Sequence, residues 1–497
     1  MVRKMRMLIL LYGFLLIEMF GIGVYAKDEV ELAKLRDFLS QESAVTGVMN
    51  YEQLGIDSLE DIIWTAVPGL YWSYLTDRLE RVYWAGMKLS GHLDFSDFAS
   101  LEYVYCSHND IKSINVTNAV RLKKLDIYTN DIDEIDLTTN PLLTYFRSGY
   151  NHIAAIDFSN NPNISFLCCR SNQLDMLDVS DKEYLTELYC GSNHIHTLNL
   201  DNCTALEILS CDYNHLETFS LNNLPQLKTV SCSNNGMQDL YYYNCIALEE
   251  LDCHNNELTS IEPSDFANLT KLNCNNNKLT SINLEGCDSL TSLFCDNNIL
   301  FELDISFTPL LSKLSCKNNY FTFSTIPVPT EIMTSYSYTP QADIIMDCKY
   351  DDIDFSEYYR VNDVVSRYVW YYKNTTIAPL ESNEGRFAFD ETYIGEQFIC
   401  RMQNSLLPYL TMRYFVTLTE EDMTNNAKSL KNKPVIYASD QSIHVTTGSP
   451  LVVSVYSLQG MLKMKKTVEA GHTVLPVERG AYVVVTDDKS SYKVLVR

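Results

Sequence analysis

Asparagine recurs at positions 109, 130, 151, 172, 193, 214, 235, 256, 277, 298 and 319, one every 21 residues without a slip. Eight residues ahead of each stands Leu or Ile, from Leu101, Leu122 and Leu143 to Leu311. Five ahead comes a second apolar residue such as Leu125, Phe146, Leu188 or Leu314, and two after it a third, such as Ile111, Leu174 or Leu258. A stretch like "LTELYCGSNHIHTLNLDNCTA" is one copy of L-x-x-L-x-C-x-x-N-x-L-x-x-L-x-L with a five-residue connection. One copy cannot bury its own apolar side, so the chain has to coil, stacking copies into a continuous core. In L-x-x-L-x-C, alternate residues of a short strand point inward. That buries the fourth and sixth positions and turns the third, fifth and seventh outward. The Asn is suited to bond backbone groups where the strand bends.

Leu79 to Ser100 reads as a divergent first copy of 22 residues, with Val82, Trp84, Leu89 and Leu93 in place and Met87 where Asn belongs. The last copy decays after Phe321. The array at 79–326 resembles the leucine-rich-repeat family in a short, bacterial, internalin-like form. That resemblance covers about half the chain. It implies an α/β-type solenoid of short parallel strands with a mostly irregular convex side.

Nine cysteines occupy the sixth repeat position: Cys106, Cys169, Cys190, Cys211, Cys232, Cys253, Cys274, Cys295 and Cys316. Ile127 and Ser148 hold that place in the other copies. Cys203, Cys245 and Cys287 fall in alternate connections, about 10 Å from one another and too far apart to bridge. A metal ladder or a disulfide framework is conceivable, but Ile at the same position favours Cys as a small buried hydrophobe. Cys168 takes the fifth position, so its thiol is expected to face outward.

The formal charge of -26, with pI near 4.7, argues against nucleic-acid binding and against docking on anionic lipid. Residues 1–26 place Arg3, Lys4 and Arg6 before an apolar run ending in Val24-Tyr25-Ala26, the pattern of a cleaved secretory signal. No later segment approaches membrane-spanning length, so an exported chain, secreted or held at a cell surface, is expected. Residues 27–78 form a helical cap, with Val30, Leu32, Leu35, Phe38 and Leu39 on one face of a helix.

After the array the pattern changes to alternating strands. Cys348, Trp370 and Cys400, with Phe398 two residues before the last, resemble an immunoglobulin-like β-sandwich over 327–419. That resemblance implies a Cys348–Cys400 bridge. A linker at 420–433 leads to a small all-β domain at 434–497. Its Ser457-Leu458-Gln459-Gly460, Gly480-Ala481-Tyr482 and Arg497 resemble the C-terminal sorting domain of the Por, or type nine, secretion system of Gram-negative bacteria. This implies the outer surface of such a cell, or secretion from it.

No metalloprotease, nucleophile-elbow, Cys-x-x-Cys or phosphate-loop motif occurs, and no enzyme, cofactor or metal is expected. His194 and His196 are read as turn residues. Asp131, Asp133, Glu134 and Asp136, and Asp351, Asp352 and Asp354, are read as solvated acidic faces rather than weak calcium ligands. Function must then come from surface. Outward positions of the early copies hold Tyr103, Tyr105, Tyr128, Tyr145, Arg147, Tyr150, Phe166, Arg170 and Tyr189, and later ones Ser231, Asp252, Asn273, Asn275, Ser292 and Ser315, with Phe294 and Lys313 as exceptions. Tyr and Arg combine large contact area with a polar handle. The expected role is that of a monomer binding an extracellular protein or glycan through this face. A non-adhesive envelope scaffold, or a partner of an extracellular enzyme, is the alternative.

Overall fold

The computed structural model describes residues 27–263, 266–420, 435–439, 442–447, 451–457, 462–468, 471–477, 480–486 and 491–496. The expected leader at 1–26, linker residues 421–433, Leu458-Gln459-Gly460 and Arg497 lie outside the described residues. The chain forms two compact units. One runs through Asn277 and takes 284–293 and 307–310; the other takes 278–283, 294–306 and the chain from Leu311 onward.

The first unit begins with a helix, Glu29–Leu39. Asp28 caps it, accepting hydrogen bonds from the Val30 and Glu31 amides at 2.9 and 3.3 Å. Leu32, Leu35, Phe38 and Leu39 are buried as expected, but Val30 is 61% exposed. Glu31 is buried instead, because the Arg78 guanidinium donates to it at 2.9 Å and to Asp28 at 2.6 Å. Phe38 stacks on Trp84 of the divergent first copy at 5.6 Å, and the Trp84 indole donates to Pro68 O at 2.8 Å. Strand Leu70–Trp72 pairs antiparallel with Leu79–Tyr83, covering the edge that a bare first rung would offer.

From Leu79–Tyr83 the rungs follow at Tyr103–Tyr105, Lys124–Asp126, Tyr145–Arg147, Phe166–Cys168 and Glu187–Tyr189, each parallel to the last and in strict register. The series continues in this unit through Ile208–Ser210, Thr229–Ser231, Glu250–Asp252 and Lys271–Asn273. Fourth-position Leu125, Phe146, Leu167 and Leu188 are fully buried, as are sixth-position Cys106, Cys169, Cys190 and Cys211. Among the described residues of the repeats there is no α-helix. The opposite side is made of turns and short parallel pairs such as Met176–Asp178 with Thr197–Asn199.

The repeated Asn is what couples one turn to the next. Asn193 donates to Cys190 O at 3.0 Å in its own turn and to Cys169 O at 3.1 Å in the preceding one. Its side-chain oxygen accepts from Leu174 N at 3.0 Å. Asn151, Asn172 and Asn214 repeat the pattern. A second row runs through the connections, where Asn140 and Asn161 each donate 24 residues back, to Val116 O and Leu137 O at 3.0 Å. Cys203, Cys245 and Cys287 stand in the same row. Their thiols make the same backward bond, to Val179 O at 3.0 Å, Leu221 O at 2.7 Å and Pro263 O at 3.4 Å. These three cysteines are therefore weak donors in a hydrogen-bond ladder as well as packing residues.

In the second unit, Lys313–Ser315 pairs parallel with Ser335–Ser337, so the coil runs past 326. Tyr336 stands opposite Leu314. Gln341 takes over the Asn role, donating to Cys316 O at 3.0 Å and accepting from Asn319 N at 3.0 Å. Both marker residues change there and the spacing lengthens to 22, which hid this turn in the sequence.

Beyond it, strands order as 344–349, 411–419, 397–403, 367–372, 375–377 in one sheet and 353–354, 386–388, 381–383 in another. Trp370 is buried between Phe387 and Phe389, with ring centroids 5.3 and 5.0 Å away. The expected Cys348–Cys400 bridge does not form. Both cysteines lie in the same sheet, on strands that flank 411–419, with Cys348 opposite Leu418 and Cys400 opposite Tyr414. Two strand spacings, about 10 Å, plus four residues of offset along the strand exceed any disulfide span. The last segments form a three-stranded and a four-stranded antiparallel sheet around Ile443, Val445, Val453, Val455, Leu475 and Val484.

Two outcomes are expected. Asn193→Ala orphans the buried Leu174 amide and removes one of the two donors on each of the Cys169 and Cys190 carbonyls, which keep Asn172 and Asn214; it should cost about 1–3 kcal/mol of unfolding free energy in urea. Burial pushes the Cys106, Cys169, Cys190, Cys211, Cys232 and Cys253 thiols far above their ordinary 9.0. The folded state thus holds protons that the unfolded chain releases. Stability should be whole below pH 9.0 and fall as pH rises above it, by about 1.4 kcal/mol per pH unit for each such thiol, read from thermal midpoints between pH 8 and 11.

Candidate binding surface

The rung register decides which outward residues meet. In the third-position row Arg81, Tyr103, Lys124, Tyr145, Phe166 and Glu187 stand side by side. In the fifth, Tyr83, Tyr105, Asp126, Arg147, Cys168 and Tyr189 do so. Tyr128 and Arg170 project from the seventh position, and Tyr150 from the eighth, where the backbone turns left-handed at φ 56°. All nine expected residues therefore lie on one open face of the first unit.

Their side chains interlock. Tyr145 stacks on Phe166 at 4.5 Å and 10°, and Tyr83 on Tyr105 at 5.1 Å and 9°. Phe166 leans on Tyr189 at 5.8 Å, and Tyr128 meets Tyr150 edge to face at 5.2 Å. Cations cover several rings: Arg147 sits 3.7 Å over Tyr128, Arg81 5.2 Å over Tyr103, Arg170 5.5 Å over Tyr150 and Lys124 5.7 Å over Tyr145. Arg147 also pairs with Asp126 at 3.4 Å. Gly149 makes the Tyr128–Arg170 approach possible. A Cβ there would lie 2.8 Å from the Tyr128 ring and 3.0 Å from Arg170 O.

Partial burial raises the Tyr105, Tyr128 and Tyr145 hydroxyls, and that of Tyr189, bonded to Glu187 at 2.9 Å, is pushed up to about 12. All four stay protonated at neutral pH. Burial also lowers the tendency of Arg147 to hold its proton, but Asp126 and, after it, Tyr145 together more than restore it.

Tyr71, Tyr83, Arg81 and Lys124 belong to this face without having been singled out in the sequence. Arg81 and Tyr83 stand 22 residues ahead of Tyr103 and Tyr105, in the first copy, and that offset could have found them. Cys168 does not face solvent as expected. It is 5% exposed, because its short side chain lies between Arg147 and Tyr189, and burial raises its thiol. His194 and His196 lie on the flank after the bend, 5.9 and 5.2 Å from His215. Among the described residues no group of three His, Cys, Asp or Glu is placed to hold a metal ion. Asp131 pairs with His152 at 3.0 Å, Asp351 with Lys349 at 2.9 Å and Asp354 with Arg386 at 2.7 Å.

Residues 225–266, within the coil of parallel rungs, match a family model of leucine-rich repeats in two copies. Among solved structures, the chain is similar to the functional domain of InlJ from Listeria monocytogenes, which includes a cysteine ladder. The identity there is 19% over 66% of this chain and 83% of that one, with a TM-score of 0.40. YopM from Yersinia enterocolitica WA-314 is 20% identical over 53% of this chain and 67% of its own, TM-score 0.39. YopM from Yersinia pestis is 22% identical over 52% and 88%, TM-score 0.38. At such identities the likeness concerns the fold alone. A comparison with curated protein sequences finds no match.

Gly149→Ala should force Tyr128 and Arg170 apart and cost about 1–3 kcal/mol in urea unfolding, with a changed near-ultraviolet tyrosine circular-dichroism signal.

Proposed function

We propose that this chain is a non-enzymatic binding protein, secreted or attached at the surface of a Gram-negative bacterium, that grips an extracellular protein or glycan with the early rungs of its open sheet. One observation carries the reading. Aromatic and cationic side chains gather on the rungs from Leu79 to Tyr189, whereas the fifth positions of the rungs from Ile208 to Asn273 hold Ser210, Ser231, Asp252 and Asn273. Half-exposed Tyr and Arg yield large contact energy for little lost side-chain freedom, which is why such residues dominate binding hot spots. The leader-like residues 1–26 and the sorting-like strands at 434–497 support export. The sheet orders over 344–419 support an immunoglobulin-like spacer. No membrane-spanning helix occurs among the described residues.

The test is a binding screen of the full-length chain against extracellular proteins and glycans, repeated with Tyr103, Tyr105, Tyr145 and Phe166 changed to Ala. Loss of at least about tenfold in affinity, with the unfolded fraction at assay temperature unchanged, is expected. Ligands that bind the variant equally well would move recognition off this face. A scaffold role would yield no ligand at all.

A further inference from the structure

Resting on the reading of this face as the binding surface, we propose that its ligand is a protein segment bearing carboxylates, not a sugar stacked on the aromatic rings. Two independent features of the face lead there.

The first is how the rings stand. Tyr145 with Phe166 and Tyr83 with Tyr105 stack near-parallel, with centroids 4.5 and 5.1 Å apart, so each ring turns one face toward its neighbour in an offset stack. Rungs are spaced at about the same interval. The rings therefore turn their faces toward neighbouring rungs and present edges and hydroxyls to the open side. Cations over Tyr103 and Tyr128 occupy further faces. A pyranose packs its C–H face on a flat, uncovered ring, and stacking and overlying cations take one face of most rings here. They offer protonated hydroxyls and ring edges, which suit the carbonyls and carboxylates of a polypeptide.

The second is charge. The chain has 64 Asp and Glu against 38 Lys and Arg, so its own carboxylates outnumber its cations. Yet among the described residues Arg81, Lys124 and Arg170 pair with no carboxylate. Their charges remain available on the open side. The face is mixed rather than uniformly basic: Asp126 is tied to Arg147, and Glu187 accepts from Tyr189. Three available cations spaced among carboxylates, within a molecule of formal charge -26, repel a dense polyanion. They accept sparse carboxylates on a chain that also carries donors.

The experiment selects a displayed random 12-residue peptide library on the full-length chain, with a neutral glycan array and heparin run in parallel. Selected peptides should be enriched in Asp and Glu. Their affinity should fall about tenfold between 50 and 300 mM NaCl. Lys124→Gln with Arg170→Gln should weaken binding at least about tenfold while the urea midpoint stays put, and Lys124→Glu with Arg170→Glu should weaken it further. Selected peptides without acidic residues, an empty selection, or glycans or heparin bound in place of peptides would overturn the proposal. If the four-alanine variant loses a ligand that the Lys124 and Arg170 variants keep, the proposal fails and the open-face reading stands. If neither set of variants loses it, both fail.

Discussion

Everything in the repeat depends on a buried carboxamide that bonds to two turns at once. Asn193 satisfies a carbonyl in its own turn and a carbonyl and an amide in the preceding one, at 3.0–3.1 Å. A chain that bends sharply every 21 residues would otherwise leave these groups buried and unpaired. Because the bond reaches back one turn, it fixes the register between turns as well as the bend within each. Strand pairing then follows, with Leu125 opposite Phe146 and Phe146 opposite Leu167. The connection ladder of Asn140, Asn161 and Cys203 does the same on the far side. The coil is stitched along both edges.

That register is also what assembles the candidate surface. A one-residue slip between rungs would move every outward side chain into the core. With the register held, side chains 21 residues apart meet within about one strand spacing, and the outward rows become continuous strips. Aromatic residues placed in such strips at successive rungs have little choice but to stack on one another. Tyr145 and Phe166 do so, and in doing so use the ring faces that an isolated surface tyrosine would leave open. A local packing preference thus sets which parts of each ring the surface presents.

The cysteines illustrate how one residue type serves several physical ends. At the sixth position they pack as small apolar side chains in the interior, as Cys190 and Cys211 do with no exposure. In the connections they donate a thiol hydrogen where an asparagine donates an amide. Cys348 and Cys400 pack one sheet instead of joining two.

The sequence by itself determined the coil, its register and the inward and outward rows, since a strict period leaves only one way to bury the apolar positions. It also located the nine outward residues from Tyr103 to Tyr189, because position within the repeat fixes direction. Only the tertiary structure decided what depends on neighbours far apart in the chain. Gln341 replaces Asn in a lengthened last turn, Cys168 is covered by Arg147 and Tyr189, and Glu31 enters the cap core because Arg78 meets it there. The strand carrying Cys348 joins the sheet of Cys400, since pairing partners in a sandwich are chosen by non-local contacts that alternation alone does not encode. The edge-on stance of the rings belongs to the same class, as it follows from the distance between rungs and not from the identity of the residues.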